Sequence, residues 1–206
     1  MTATRVALSA LAAAALLGCT RSYDVVQVPP YGADLYPLSQ TKAGVTIAVD
    51  DIKRPERARR YFGADLISEG IFPVNVVVSN YGKQRVVVKP SDILLYRGKE
   101  IIDPVPLELV IATAKKQRWF LASTTEEEVG KYFENATFKE AVLLPNESHR
   151  GVVFFAPPPP KSTADRWFRM LSSYSEGGTR IRMGVTNIDN GERMLFGPFS
   201  VSLPEN

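Results

Sequence analysis

Phe72-Pro73-Val74-Asn75-Val76-Val77-Val78-Ser79 is a nearly continuous apolar run, rich in β-branched residues and short for a helix. It reads as a strand buried on both faces. Asn80-Tyr81-Gly82-Lys83 follows, a turn composition containing residues suited to positive φ, and residues 85–89 resume the β pattern. The two runs are expected to form a hairpin.

The same grammar extends in both directions. Residues 45–52 alternate, with Val45, Ile47 and Val49 on one face. Residues 92–96 and 100–102 flank Arg97-Gly98-Lys99, a second hairpin signal. Further strands are expected at 138–143, 151–156, 180–187 and 194–203, the last two joined through Asp189-Asn190-Gly191. Roughly eight strands without a helix between each argue for a mainly β antiparallel sandwich and against a parallel α/β sheet.

Three stretches break the β pattern. Residues 55–68 begin with Pro at a first helical position, and Ala58, Tyr61, Phe62, Asp65 and Leu66 are spaced so that mostly apolar side chains share a face. A helical insertion is expected at about 106–135, with two helices. The first places Glu108 early and Lys115, Lys116 and Arg118 late, in agreement with the helix dipole. The second starts at Ser123-Thr124-Thr125-Glu126-Glu127-Glu128, where each hydroxyl residue has a Glu three positions on. A third helical pattern, Trp167, Leu171 and Tyr174 with Phe168 beside them, follows the connector Pro157 to Pro160.

The N-terminus carries a different kind of signal. Residues 1–5 are a short basic start, and residues 6–17 are a 12-residue apolar stretch, too short to span a bilayer as a helix. The stretch ends Leu16-Leu17-Gly18-Cys19, which resembles the lipobox of bacterial lipoproteins. The resemblance implies a signal peptide over 1–18 and a covalent diacylglycerol and acyl chain on Cys19. Several chains together anchor stably where one does not. Thr20 follows the Cys, where an Asp would imply retention at the inner membrane; the resemblance therefore implies the periplasmic face of the outer membrane in a two-membrane host. Cleavage at Ala13-Ala14-Ala15 is the alternative, but it leaves a short apolar run and an unexplained Cys. Residues 19–44, containing Pro29, Pro30 and Pro37, read as an extended tether, and the folded domain is expected over 45–206.

The stretch Leu143-Leu144-Pro145-Asn146-Glu147-Ser148-His149-Arg150-Gly151-Val152-Val153-Phe154-Phe155-Ala156-Pro157 resembles a pattern of bacterial immunoglobulin-like lipoprotein domains. In those domains a strand ends in Leu-x-Pro-Gly-Glu, the chain turns, and Gly-x-x-x-Phe opens the next strand. Asn146 stands where that pattern has Gly, and Asn also reaches positive φ. The strand running into Asn80 resembles a second element of such domains. The resemblance implies an immunoglobulin-like antiparallel β-sandwich with a helical insertion and one or two short additional helices. It carries no catalytic or binding residues.

Composition bounds the remaining function classes. Of 25 Lys+Arg and 22 Asp+Glu, only Arg5 lies in 1–18, so the processed chain carries 24 cationic against 22 acidic residues. Nucleic-acid binding needs clustered, unbalanced cations and is not expected. Lys53, Arg54, Arg57, Arg59 and Arg60 form the densest basic run, flanked by Asp50, Asp51 and Glu56, and read as a solvated helix face. With Cys19 acylated, no thiol remains for a disulfide, and one His cannot supply a common zinc site.

His149 sits in an expected turn beside Glu147 and Ser148, where sequence neighbours rarely make a nucleophile-base-acid array. Asp50 and Asp51 point to opposite faces of a strand. Asn187, Asp189, Asn190 and Glu192 read as turn chemistry rather than a calcium loop. Trp119, Phe120, Trp167 and Phe168 are the candidate recognition surface. The expectation is a non-enzymatic lipoprotein without a cofactor, held at the membrane by Cys19 and binding an envelope protein partner; nothing in the sequence fixes an oligomeric state. The alternative is a lipid-tethered binder of a small envelope ligand, with a pocket near Trp119 and Trp167.

Overall fold

The computed structural model describes residues 25–28, 31–117, 125–156 and 178–202. Leu16, Leu17, Gly18, Cys19, Trp119, Phe120, Trp167 and Phe168 lie outside these residues, as does the helical pattern at 164–174.

After a 3-10 turn at Ala33–Leu35, the strands run β1 (Ser39–Lys42), β2 (Val45–Asp51), β3 (Phe72–Asn80), β4 (Val86–Arg97), β5 (Glu100–Ile102), β6 (Ala141–Leu143), β7 (Ser148–Phe155), β8 (Thr179–Asn187) and β9 (Arg193–Val201). Among the described residues three short helices interrupt them: α1 (Pro55–Phe62), α2 (Leu107–Lys116) and α3 (Glu126–Ala136). The strands make two sheets, ordered β1-β2-β3-β7 and β5-β4-β8-β9, with β6 on the β5 side of β4. Every named strand pair is antiparallel.

The inner faces meet in one apolar core. Val74, Val76 and Val78 of β3 face it from the first sheet, and Ile93, Leu95, Ile181, Met183 and Phe196 face it from the second. Each alternates with outward residues, as the two-residue period of a strand demands.

The hairpin expected between residues 72–79 and 85–89 does not form. β3 pairs with β2 and β7, while β4 pairs with β8, β5 and β6. The intervening turn is instead a crossover between sheets. Asn80 sets it: its Nδ2 donates to the carbonyls of Gln84 at 2.8 Å and Leu143 at 3.2 Å, and its Oδ1 accepts from Gly82 N–H at 3.1 Å. Turn residues dictate that the chain reverses, but a strand buried on both faces pairs with whichever partners complete its two edges. The hairpins β4–β5 and β8–β9 do form across their expected turns. β4 slips register between Val88 and Ile93, where Pro90 has no N–H for the ladder.

The chain also enters the fold earlier than Val45. β1 pairs with β2 through Ser39↔Ala48 to Lys42↔Val45, and Ala33 is fully buried with its N–H on Ser79 Oγ at 3.2 Å. Proline-rich segments read as extended tethers because they lack internal periodicity, yet an extended segment can equally well lie against a sheet.

Local signals set the helix ends. Pro55 opens α1, and Gly63, in the left-handed region at φ 60°, closes it by donating to Arg59 O at 2.8 Å. Thr125 and Glu128 make a reciprocal capping box on α3.

Candidate functional site

The site lies on the outer face of the first sheet. On β3 the outward residues are Pro73, Asn75, Val77 and Ser79; across the ladder on β7 they are Phe154, Val152, Arg150 and Ser148. One end of this face is covered by helices. Phe154 meets Phe62 of α1 at 5.6 Å and Phe133 of α3 at 5.9 Å between ring centres, and Phe62 stacks on Phe133 at 5.8 Å. The other end is covered by the N-terminal segment, with Ala33 and Tyr36 against Ala48 and Val77.

Between the two covers is a cleft of about 270 Å³. Asn75, Val152 and Arg150 line it from the sheet, Tyr132 and Asn135 from α3, and Gln27 from the N-terminal segment. The segment is held there by Val26 N–H donating to Arg60 O at 3.1 Å.

Asn75 is 1% exposed, in a strand whose other residues are also buried. Its Nδ2 reaches Tyr36 Oη at 3.4 Å, a long contact, and its Oδ1 has no hydrogen-bond partner among the described residues. An unpartnered buried amide oxygen costs about 1–3 kcal/mol, so it marks a place where a donor belongs. The neighbouring carboxylate, Asp50, sits opposite Asn75 on β2 and is occupied by Arg57, with contacts of 2.8 and 2.5 Å. That pairing raises the Arg57 guanidinium above its ordinary range despite partial burial. Burial pushes the Tyr36 phenol above its usual value; the Asn75 side chain, donating to it, works against that rise, Asp50 adds to it and Arg150 opposes it. Arg150 has no ion-pair partner among the described residues. Among the described residues the cleft therefore combines a neutral amide floor with a cation, Arg150, that has no ion-pair partner.

The other sequence candidates lie elsewhere. His149 is on β7 rather than in a turn, half-buried, with its ring edge-on to Phe138 at 4.8 Å and Nε2 2.9 Å from Lys139 O. Burial holds its pKa below 6.5, only partly offset by that carbonyl. Ser148 bonds to Ser79 at 2.8 Å, so the neighbouring hydroxyl is not aimed at the imidazole.

Asp50 and Asp51 diverge: Asp51 accepts from Ser202 N–H at 2.9 Å. In the β8–β9 turn, Asp189 binds the Arg85 backbone at 2.9 Å and its guanidinium at 2.7 Å. Of the basic run, Lys53, Arg57 and Arg59 pair with carboxylates.

Sequence reasoning missed Asn75. The signal was present: a lone amide amid Val74, Val76, Val77 and Val78 is expensive to bury without a purpose. Arg150 carried no signal, because its neighbours across the sheet are distant in sequence.

Comparison with protein families finds no matching family model, and comparison with curated proteins finds no match. Among solved structures, the chain is similar to "a putative lipoprotein (ycdA)" from Bacillus subtilis at 14% identity and TM-score 0.38. That match covers 77% of this chain but only 37% of the other. It is also similar to the yjhA protein of Bacillus subtilis, at 11% identity and TM-score 0.40, over 78% of this chain and 95% of that one.

Proposed function

We propose that the chain is a membrane-anchored envelope lipoprotein whose immunoglobulin-like β-sandwich serves as a non-enzymatic structural or protein-interaction module. The observation that carries this reading is Leu16-Leu17-Gly18-Cys19 placed after a basic start and a 12-residue apolar run. Two antiparallel sheets sharing one core support the sandwich part of the reading.

The early entry of the chain into the fold sharpens the proposal. Val26 is already bonded to Arg60, so only residues 20–25 separate Cys19 from the domain. At about 3.3–3.6 Å per residue, that link spans at most roughly 20–25 Å. A domain so tethered works close to the lipid surface, as a structural or assembly component does. Thr20 after Cys19 favours the periplasmic face of the outer membrane in a two-membrane host.

Intact-mass measurement of the mature protein, with membrane fractionation, tests the anchor. The expected result is an N-terminal Cys19 bearing acyl chains and a membrane-bound protein, released into the soluble fraction by Cys19→Ser. A wild-type protein cut after Ala15, unacylated and soluble, overturns the reading. Cross-linking in intact cells tests the module and should recover a stoichiometric protein partner.

A further inference from the structure

We infer that the cleft on the outer face of the first sheet binds the end of a small peptide-like ligand that carries a carboxylate beside an amide, with Asn75 as the amide anchor and Arg150 as the carboxylate clamp. The inference goes beyond the anchoring proposal and does not depend on it.

Its first support is the unmatched bonding capacity of Asn75. The side chain is 1% exposed, lines the cleft, and has an Oδ1 without a partner among the described residues. A ligand N–H supplies the donor that this oxygen lacks, and a ligand carbonyl can accept from Nδ2, whose contact with Tyr36 is 3.4 Å long. The second support is Arg150, on the same face and lining the same cleft.

Register places Arg150 opposite Val77 and Asn75 opposite Val152, so the two residues are diagonal neighbours across the β3–β7 ladder. Such neighbours lie about 7–8 Å apart at the backbone, a gap that a long guanidinium side chain can close over a ligand held at Asn75. A planar guanidinium matches a carboxylate in a two-pronged geometry. Asp50 does not compete for it, being held by Arg57.

Size and polarity narrow the ligand further. A volume of about 270 Å³ lies just below the usual range for drug-sized ligands, so it suits a fragment of one or two residues or the terminus of a longer chain. Asn135 and Gln27 add amide groups at the walls, and Val152 and the Tyr132 ring add apolar surface. Amides on several sides suit a peptide-like group.

The test uses the full-length protein in detergent, with N-acetyl-Ala-Ala as the probe and its C-terminal amide and acetate as controls, followed by calorimetry and amide NMR. N-acetyl-Ala-Ala should bind, with shifts at Asn75 and Val152, at least tenfold more tightly than its amide or acetate. Arg150→Gln, on an exposed side chain, should weaken the acid about tenfold and leave the amide probe unchanged. Asn75→Val should abolish binding of both probes while the melting temperature holds or rises, because an under-bonded amide gives way to an apolar group that suits a strand.

Binding of N-acetyl-(Ala)4 with the affinity of the dipeptide identifies a chain terminus as the occupant; much weaker binding identifies a free small molecule. Both results keep the site. No binding of N-acetyl-Ala-Ala at 10 mM overturns the inference. So does acetate binding as well as the dipeptide, or a fall in melting temperature with Asn75→Val, which would make the amide purely structural.

Discussion

The outer faces of the two sheets follow opposite rules. On the first sheet, β3 is buried at every position, because α1, α3 and the segment around Ala33 lie over it. On the second, β9 alternates strictly at its N-terminal half: Met194 and Phe196 are buried while Arg193 and Leu195 are exposed. Its polar groups satisfy one another at the surface, with Arg193 on Asp92 at 2.6 Å and Arg182 over the Tyr96 ring at 5.2 Å.

The difference teaches where binding chemistry can be built. An exposed face leaves polar groups to water. A covered face forces each polar group either to find a partner or to be kept for a ligand, and Asn75 is such a group.

The contrast should be visible in stability. Phe154→Ala removes the ring on which Phe62 and Phe133 converge, and should cost about 3–5 kcal/mol in urea unfolding. A loss below about 1 kcal/mol would mean that the helices do not hold this face.

Thr125→Ala breaks the capping box of α3 and should cost about 1 kcal/mol, with amide exchange rising first along 126–136. If the faster exchange were confined to the second sheet, α3 would not belong to the cover of the first.

A smaller effect distinguishes the sheets by pH. His149 belongs to the first sheet, and burial depresses its pKa below 6.5. As pH falls through about 6.5, the unfolded chain takes up a proton that the folded chain resists, so stability declines; only well above 6.5, where neither state binds the proton, does this residue contribute no slope. Melting temperatures of wild type and His149→Gln should therefore converge or cross between about pH 7.5 and 5, with the wild type steeper. Parallel curves would remove His149 as the cause.

Leu195→Ala, on a side chain 60% exposed, should change stability by less than about 0.5 kcal/mol. A cost above about 2 kcal/mol would show that the second sheet is also covered at this point.

Much of this pattern was legible in advance. The unbroken apolar run 72–79 and the alternation in 45–52 gave strands, Pro55 and Thr125-x-x-Glu128 gave helix starts, and Asn146 has the positive φ, 67°, that its turn position implies. Gly151, marked by the lipoprotein-domain pattern as a strand opening, has a spatial reason that sequence alone does not reveal. A Cβ there would lie 2.3 Å from the Cα of Phe138, so the chain crosses the strand only over a glycine. The residues after Asn80 were legible as a turn but not as a crossover, since their local chemistry is the same in both cases.

What the sequence determined by itself is what depends on neighbours along the chain: strand and helix identity, caps, turns, and the apolar run ending at Cys19 on which the anchoring proposal rests. Tertiary structure alone decided which strands pair, that Ala33 and Ser39–Lys42 join the fold, and that Asn75 and Arg150 share a cleft. Apart from the β1–β2 pairing, whose partners run from Lys42↔Val45 to Ser39↔Ala48, these are contacts between residues far apart in sequence. Their selection depends on filling both edges and both faces of β3, a condition that no short window of sequence contains.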